Sequence, residues 1–127
     1  MKTTKIDIKL LGMFNGMPID KKGGVKLKIL FAFEETANAI RVFAMKNQII
    51  KLYVKVEGMK GKFLGEFSYG GMNNDKNGQF LLTLETEWDS LELTNYRDLM
   101  PLEGSQPILA TYRLIAEIEL EDEENVN

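Results

Sequence analysis

The chain predicts a β-rich α+β domain, a six-stranded curved antiparallel sheet or partly closed barrel carrying one or two short helices. Three observations lead there. Apolar residues recur at every second position in several separate segments, the period of half-buried strands. Glycine, asparagine and aspartate punctuate those segments at short intervals. A single longer stretch in the first half changes to helical spacing.

Residues 5–10 alternate strictly, with Ile6, Ile8 and Leu10 on one face and Lys5, Asp7 and Lys9 on the other. Gly16, Pro18, Asp20 and Gly23–Gly24 then supply turn chemistry. Residues 25–33 alternate again: Val25, Leu27, Ile29, Phe31 and Phe33 share a face opposite Lys26 and Lys28. From Glu34 the spacing changes, and Ala37, Ile40, Phe43 and Ala44 predict the buried face of a helix. Glu34 and Glu35 in its first turn and Lys46 in its last complement the helix dipole, and Asn47 is its stop.

A third strand follows at residues 50–57, with Ile50, Leu52, Val54 and Val56 inward and Lys51, Tyr53, Lys55 and Glu57 outward. The turn at 58–61 leads to a strand near 62–69, and the Gly- and Asn-rich segment 70–78 joins it to an antiparallel strand at 79–87. Asp89 or Ser90 caps a short helix through 91–99, which Pro101 ends. Residues 108–120 form the last strand, with Ala110, Tyr112, Leu114, Ala116, Ile118 and Leu120 on one face. The domain therefore spans residues 1–120, and residues 121–127 read as an acidic tail.

At 127 residues and 44% hydrophobic content the chain can bury one core without staples. It has neither cysteine nor histidine, which removes disulfides, thiolate and imidazole metal sites, and the usual general base near neutral pH. The expectation is a protein that is not an enzyme and takes no cofactor. The N-terminus lacks the apolar core of a secretory signal and no apolar run is long enough for a bilayer, so the cytoplasm is the expected location, with no membrane partner.

The net charge of −3 hides two opposite fields. Residues 1–62 hold 13 lysines and arginines against 5 carboxylates, or +8; residues 63–127 hold 3 against 14, or −11. Such clustering costs self-repulsion and invites a functional account. If the strands at 5–10, 25–33 and 50–57 share one sheet, its outer face carries Lys5, Lys9, Lys26, Lys28, Lys51, Tyr53 and Lys55, extended by Lys60 and Lys62. Cations of this kind neutralise phosphates without reading sequence, and single-strand binders add flat rings for base stacking. Tyr53 stands on that face; Tyr69 and Phe67, of which one parity must belong to the core, and Phe14 and Met13 are further candidates.

The acidic half holds two features. Glu85, Glu87, Asp89 and Glu92 surround Trp88, itself expected in the core, and form either a solvated rim or a dock for a cation or basic partner. Glu121, Asp122, Glu123 and Glu124 form a tail able to compete with nucleic acid or recruit proteins. The segment 73–78 opens like a calcium loop, but its twelfth position is Leu84 and its flanks are strands, so it reads as a hairpin connection.

The strand Lys-Ile-Asp-Ile-Lys-Leu-Leu-Gly, the strand Gly-Gly-Val-Lys-Leu-Lys-Ile, the helix and Ile-Lys-Leu-Tyr-Val-Lys-Val together resemble small single-stranded-DNA-binding and recombination accessory proteins of phages of low-GC Gram-positive bacteria. The resemblance covers about half the chain. It implies an OB-like barrel, a homo-oligomer such as a dimer, and single-stranded DNA and replication or recombination proteins as partners. Two features depart from that pattern. The helix follows the second strand rather than the third, and the acidic end lacks an aromatic or proline tip, with Val126 its one apolar residue.

The function expected is sequence-independent binding of single-stranded nucleic acid in phage or plasmid replication or recombination. The alternatives are an acidic interaction or inhibitor module that mimics nucleic acid, and an assembly subunit whose charged halves pair head to tail.

Overall fold

The fold is that of a computed structural model, which describes residues 2–31, 35–74, 78–99 and 108–120. Six antiparallel strands form a closed barrel: β1 (Lys2–Phe14), β2 (Gly24–Phe31), β3 (Ile50–Val56), β4 (Lys62–Asn74), β5 (Phe80–Glu87) and β6 (Leu109–Leu120). Around the barrel the order is β1-β2-β5-β4-β3-β6. The meander β3-β4-β5 has β2 beside its last strand and β6 beside its first, so two Greek keys overlap. The OB-like barrel expected from the sequence is thus present with six strands and full closure, where the OB fold has five strands and stays partly open.

Closure depends on β1 meeting β2. Residues 12–14 pair with 29–31, and the chain beyond β1 continues the ladder through Asn15 N to Lys28 O (2.7 Å), Lys28 N to Gly16 O (2.9 Å) and Lys26 N to Pro18 O (3.0 Å). Gly12 sits at this seam because a Cβ there would lie 2.6 Å from the Phe31 ring and 2.7 Å from the Leu30 carbonyl oxygen. The close approach of two backbones selects glycine.

Strand alternation translates directly into the core. Ile8 and Leu10 of β1, Val25, Leu27, Ile29 and Phe31 of β2, Ile50, Leu52 and Val54 of β3, and Ala110, Tyr112, Leu114 and Ala116 of β6 are all buried. Fully burying each aliphatic side chain contributes about 1.5–3 kcal/mol, which makes the barrel interior the main source of stability.

The segment between β2 and β3 departs from expectation. It forms α1 (Thr36–Ile40) and then tightens to a 3-10 turn over Arg41–Met45, with Asn47 ending it at φ 68°. A 3-10 turn stacks residues i and i+3, so Val42 and Met45 enter the core. Ile40 and Phe43, on the expected buried face, remain more than half exposed, and Ala37 and Ala44 are exposed too. The second predicted helix is also 3-10 in character, as turns at Trp88–Ser90 and Leu93–Leu99. Trp88 is 43% exposed rather than a core residue, because β5 ends at Glu87 and the chain turns away from the barrel. Tyr96 and Leu99 bury their side chains in its place. Glu121–Glu124 and part of the 73–78 loop lie outside the described residues. Among the described residues, no helix is long and apolar enough to cross a membrane.

Candidate nucleic-acid interface

Register decides which lysines meet. The three lysine-bearing strands belong to one closed sheet, but β6 stands between β1 and β3, and β2 lies half-way round the barrel from β3. The single basic face expected from alternation is therefore divided: Lys26 and Lys28 point away on the far side from Lys51 and Lys55. Strand periodicity separates inside from outside without naming neighbours, which explains the difference.

Several lysines also face carboxylates across the ladder. Lys5 is opposite Glu117, Lys51 opposite Glu66 and Lys26 opposite Glu85. Directly opposed residues share a face within about 5 Å, so each of these charges is locally offset. A groove of ≈ 630 Å³ between Lys5 and Lys51 has Glu66 and Glu117 in its walls and is electrically balanced.

A different row has no carboxylate at its directly opposed positions. Lys9 of β1 is opposite Arg113 of β6, Arg113 is opposite Tyr53 of β3, and Tyr53 is opposite Phe63 of β4. One step along, Lys55 is opposite Thr111. Lys9, Lys55, Arg113, Tyr53, Val54, Gly61 and Thr111 line a groove of ≈ 340 Å³ that, among the described residues, has three cations, one aromatic ring and no carboxylate. The Arg113 guanidinium is anchored from outside this groove by Asp7, which accepts from Nε at 2.8 Å and also from Nη2. That hydrogen bond and the Arg113 charge hold the Asp7 carboxyl below its usual range.

The ring pair owes its position to a bulge. Leu52 pairs with Gly65 but Tyr53 pairs with Phe63, so Leu64 is the extra residue on β4. Skipping one residue turns Phe63 outward beside Tyr53, at a ring separation of 5.1 Å and an angle of 49°. The Leu64 carbonyl, freed from the ladder, accepts from Tyr96 Oη (3.0 Å) and from the Glu92 backbone N–H (3.2 Å), while Asn95 Nδ2 donates to the Phe63 carbonyl (2.7 Å). Gly65 takes φ +144° and its Cα faces the Ser90 carbonyl so closely that a Cβ would approach it to 2.7 Å. The 3-10 segment thus clamps the bulge under the ring pair.

The remaining expected residues lie elsewhere. Lys62 is opposite Val54, whose side chain is inward, so it sits with Lys60 at the barrel mouth beside Met59, Asn95 and Leu99. Tyr69 packs against the core and against Phe43, with ring centroids 5.5 Å apart, and burial raises its phenol pKa. Its ring is engaged rather than offered. Phe14 is likewise packed edge-on to Tyr96 at 6.4 Å. Arg113, Phe63 and Thr111 were not anticipated. The inward set on β6 already implied that 111, 113 and 115 face outward, but nothing in the sequence placed β6 between β1 and β3.

On the β2, β5 and β4 side, reaching Phe63 behind the ring pair, Asp20, Glu66, Glu85, Glu87, Asp89 and Glu92 line a groove of ≈ 780 Å³ with Lys26 as the one cation among its described residues. Asp20 has a local task there, its Oδ1 accepting from the backbone N–H groups of Lys22 and Gly24, both at 2.8 Å. Among the described residues, no three carboxylates converge tightly enough to hold a metal ion.

Comparison of the chain with models of known protein families, with curated proteins and with solved structures finds no match in any of the three.

Proposed function

We propose that the protein is a non-enzymatic binder of single-stranded nucleic acid, and that the strand lies across β1, β6 and β3 through the Tyr53 groove. The observation that carries this function is the groove's composition: Lys9, Lys55 and Arg113 around the Tyr53 ring, with no carboxylate among the described residues of its walls. Cations neutralise successive phosphates, and Tyr53, backed by Phe63, offers a face to a base. A ring in the groove wall suits the unpaired bases of a single strand, which a duplex keeps stacked on one another. DNA is the expected substrate, in replication or recombination of a phage or plasmid, on the strength of the resemblance of the first, second and third strands to proteins of that kind.

Fluorescence anisotropy of a labelled oligothymidine, titrated with the protein across a salt series, tests the proposal. Binding that weakens steeply with salt supports it, and absence of binding at low salt rules it out.

The acidic groove favours a second function, docking of a basic partner protein. Its six carboxylates against one lysine carry that alternative. Charge reversal at Glu85, Glu87 and Asp89 would then abolish partner capture while leaving oligonucleotide binding unchanged.

A further inference from the structure

We propose that Asp7 is a positioning residue for the strand-binding groove: it holds Arg113 by the side edge of the guanidinium, leaving the end-on pair of N–H groups to grip a phosphate. The inference rests on the single-strand function proposed above and adds a device that makes it work.

Arg113 has a like charge as its cross-strand neighbour on β1. It is directly opposite Lys9, and like charges at opposed positions on neighbouring strands repel each other. Asp7, opposite Ile115, lies diagonally one pair away and closes a two-pronged contact with Nε and Nη2. The contact offsets the repulsion and fixes the plane of the guanidinium between Lys9 and Tyr53.

The same contact uses two of the five N–H donors of the side chain. Three remain, on Nη1 and the outer side of Nη2, in the fork geometry that matches a phosphate. Arg113 lines the groove, whereas Asp7 lies next to it on the outer face of β1, two residues from Lys9. The Arg113 side chain is 43% exposed and that of Asp7 32%, which leaves the guanidinium accessible while it is held.

Positioning and plain electrostatics predict opposite signs. Asp7→Asn removes a negative charge beside a polyanion site, so an incidental surface ion pair predicts tighter binding. Positioning predicts weaker binding, by about fivefold to tenfold at low salt, because the charge-assisted grip on phosphate loses its geometry.

The experiment is anisotropy of labelled oligothymidine with the full chain, comparing wild type, Asp7→Asn, Asp7→Glu and Arg113→Lys at one low salt concentration. Asp7→Glu is expected to recover most of the lost affinity. Arg113→Lys keeps the charge but not the fork and is expected to weaken binding as much as Asp7→Asn. If the wild type binds and Asp7→Asn binds equally or more tightly, the positioning role is overturned while the single-strand function stands. If the wild type does not bind, both are overturned. Should Asp7→Asn fail to fold, Arg113→Lys decides alone, and wild-type affinity in that variant overturns the proposal.

Discussion

Replacing Lys9 and Lys55 with glutamine removes two of the three cations that line the Tyr53 groove and touches no residue of the core. For single strands, each neutralised phosphate contributes about 0.7 to the slope of log affinity against log salt. Three groove cations therefore give a slope near −2 for the wild type, and the double variant keeps about −0.7. Between 50 mM and 200 mM salt the wild type should lose affinity roughly twentyfold and the variant roughly threefold. Anisotropy titrations with oligothymidine at four or five salt concentrations measure both slopes. Lys26→Gln with Lys28→Gln is the matched control, because those lysines face away on β2 and Lys26 is already opposed by Glu85. Equal loss of slope in the two double variants would refute the assignment of the groove and return the binding surface to a diffuse shell of lysines.

Other outcomes follow from the interior. The Tyr112 hydroxyl is buried with no hydrogen-bond partner among the described residues, so Tyr112→Phe should leave stability unchanged or raise it by about 1 kcal/mol, whereas Tyr96→Phe, which breaks the bond to the Leu64 carbonyl, should cost about 1 kcal/mol; urea denaturation gives both signs. Gly65→Ala must relieve a 2.7 Å approach to a backbone oxygen at φ +144° and should cost about 2–4 kcal/mol by the same assay. Burial raises the pKa values of Tyr96 and Tyr112 above the ordinary 10.0, so the native state holds protons that the unfolded chain gives up. Their contribution is intact below pH 10 and stability falls as pH rises beyond it, with two phenols resisting ionisation in a spectrophotometric titration until the protein unfolds.

Much of this architecture was legible in the alternation of apolar residues. Val25, Leu27, Ile29 and Phe31, or Ala110, Tyr112, Leu114 and Ala116, can only be inward-facing sets of strands, and they are. What a period of two does not contain is the neighbour relation. Lys26 and Lys51 have the same parity in their strands yet stand on opposite flanks, because the Greek-key connections carry β3 across the barrel and insert β6 beside it. Helical spacing misled at Ile40 and Phe43 for a separate reason: the turn tightens at Arg41, and the three-residue repeat brings Val42 and Met45 inward instead. The Tyr53–Phe63 pair depends on a bulge, and a bulge leaves no mark on a pattern that is read strand by strand. The charge split between the halves of the chain survives in altered form, as a small cationic groove whose key arginine comes from the acidic half and a larger acidic groove on the β2, β5 and β4 side.

The bound strand lies across β1, β6 and β3 in the proposed complex. Two-dimensional ¹H–¹⁵N spectra of the isotope-labelled protein, titrated with a short oligothymidine at low salt, test this placement most directly. The largest shifts are expected at Lys9, Tyr53, Lys55, Thr111 and Arg113, with Lys26, Glu85 and Glu87 unmoved. Shifts centred on the acidic groove or on β2, or none at all, would contradict this placement.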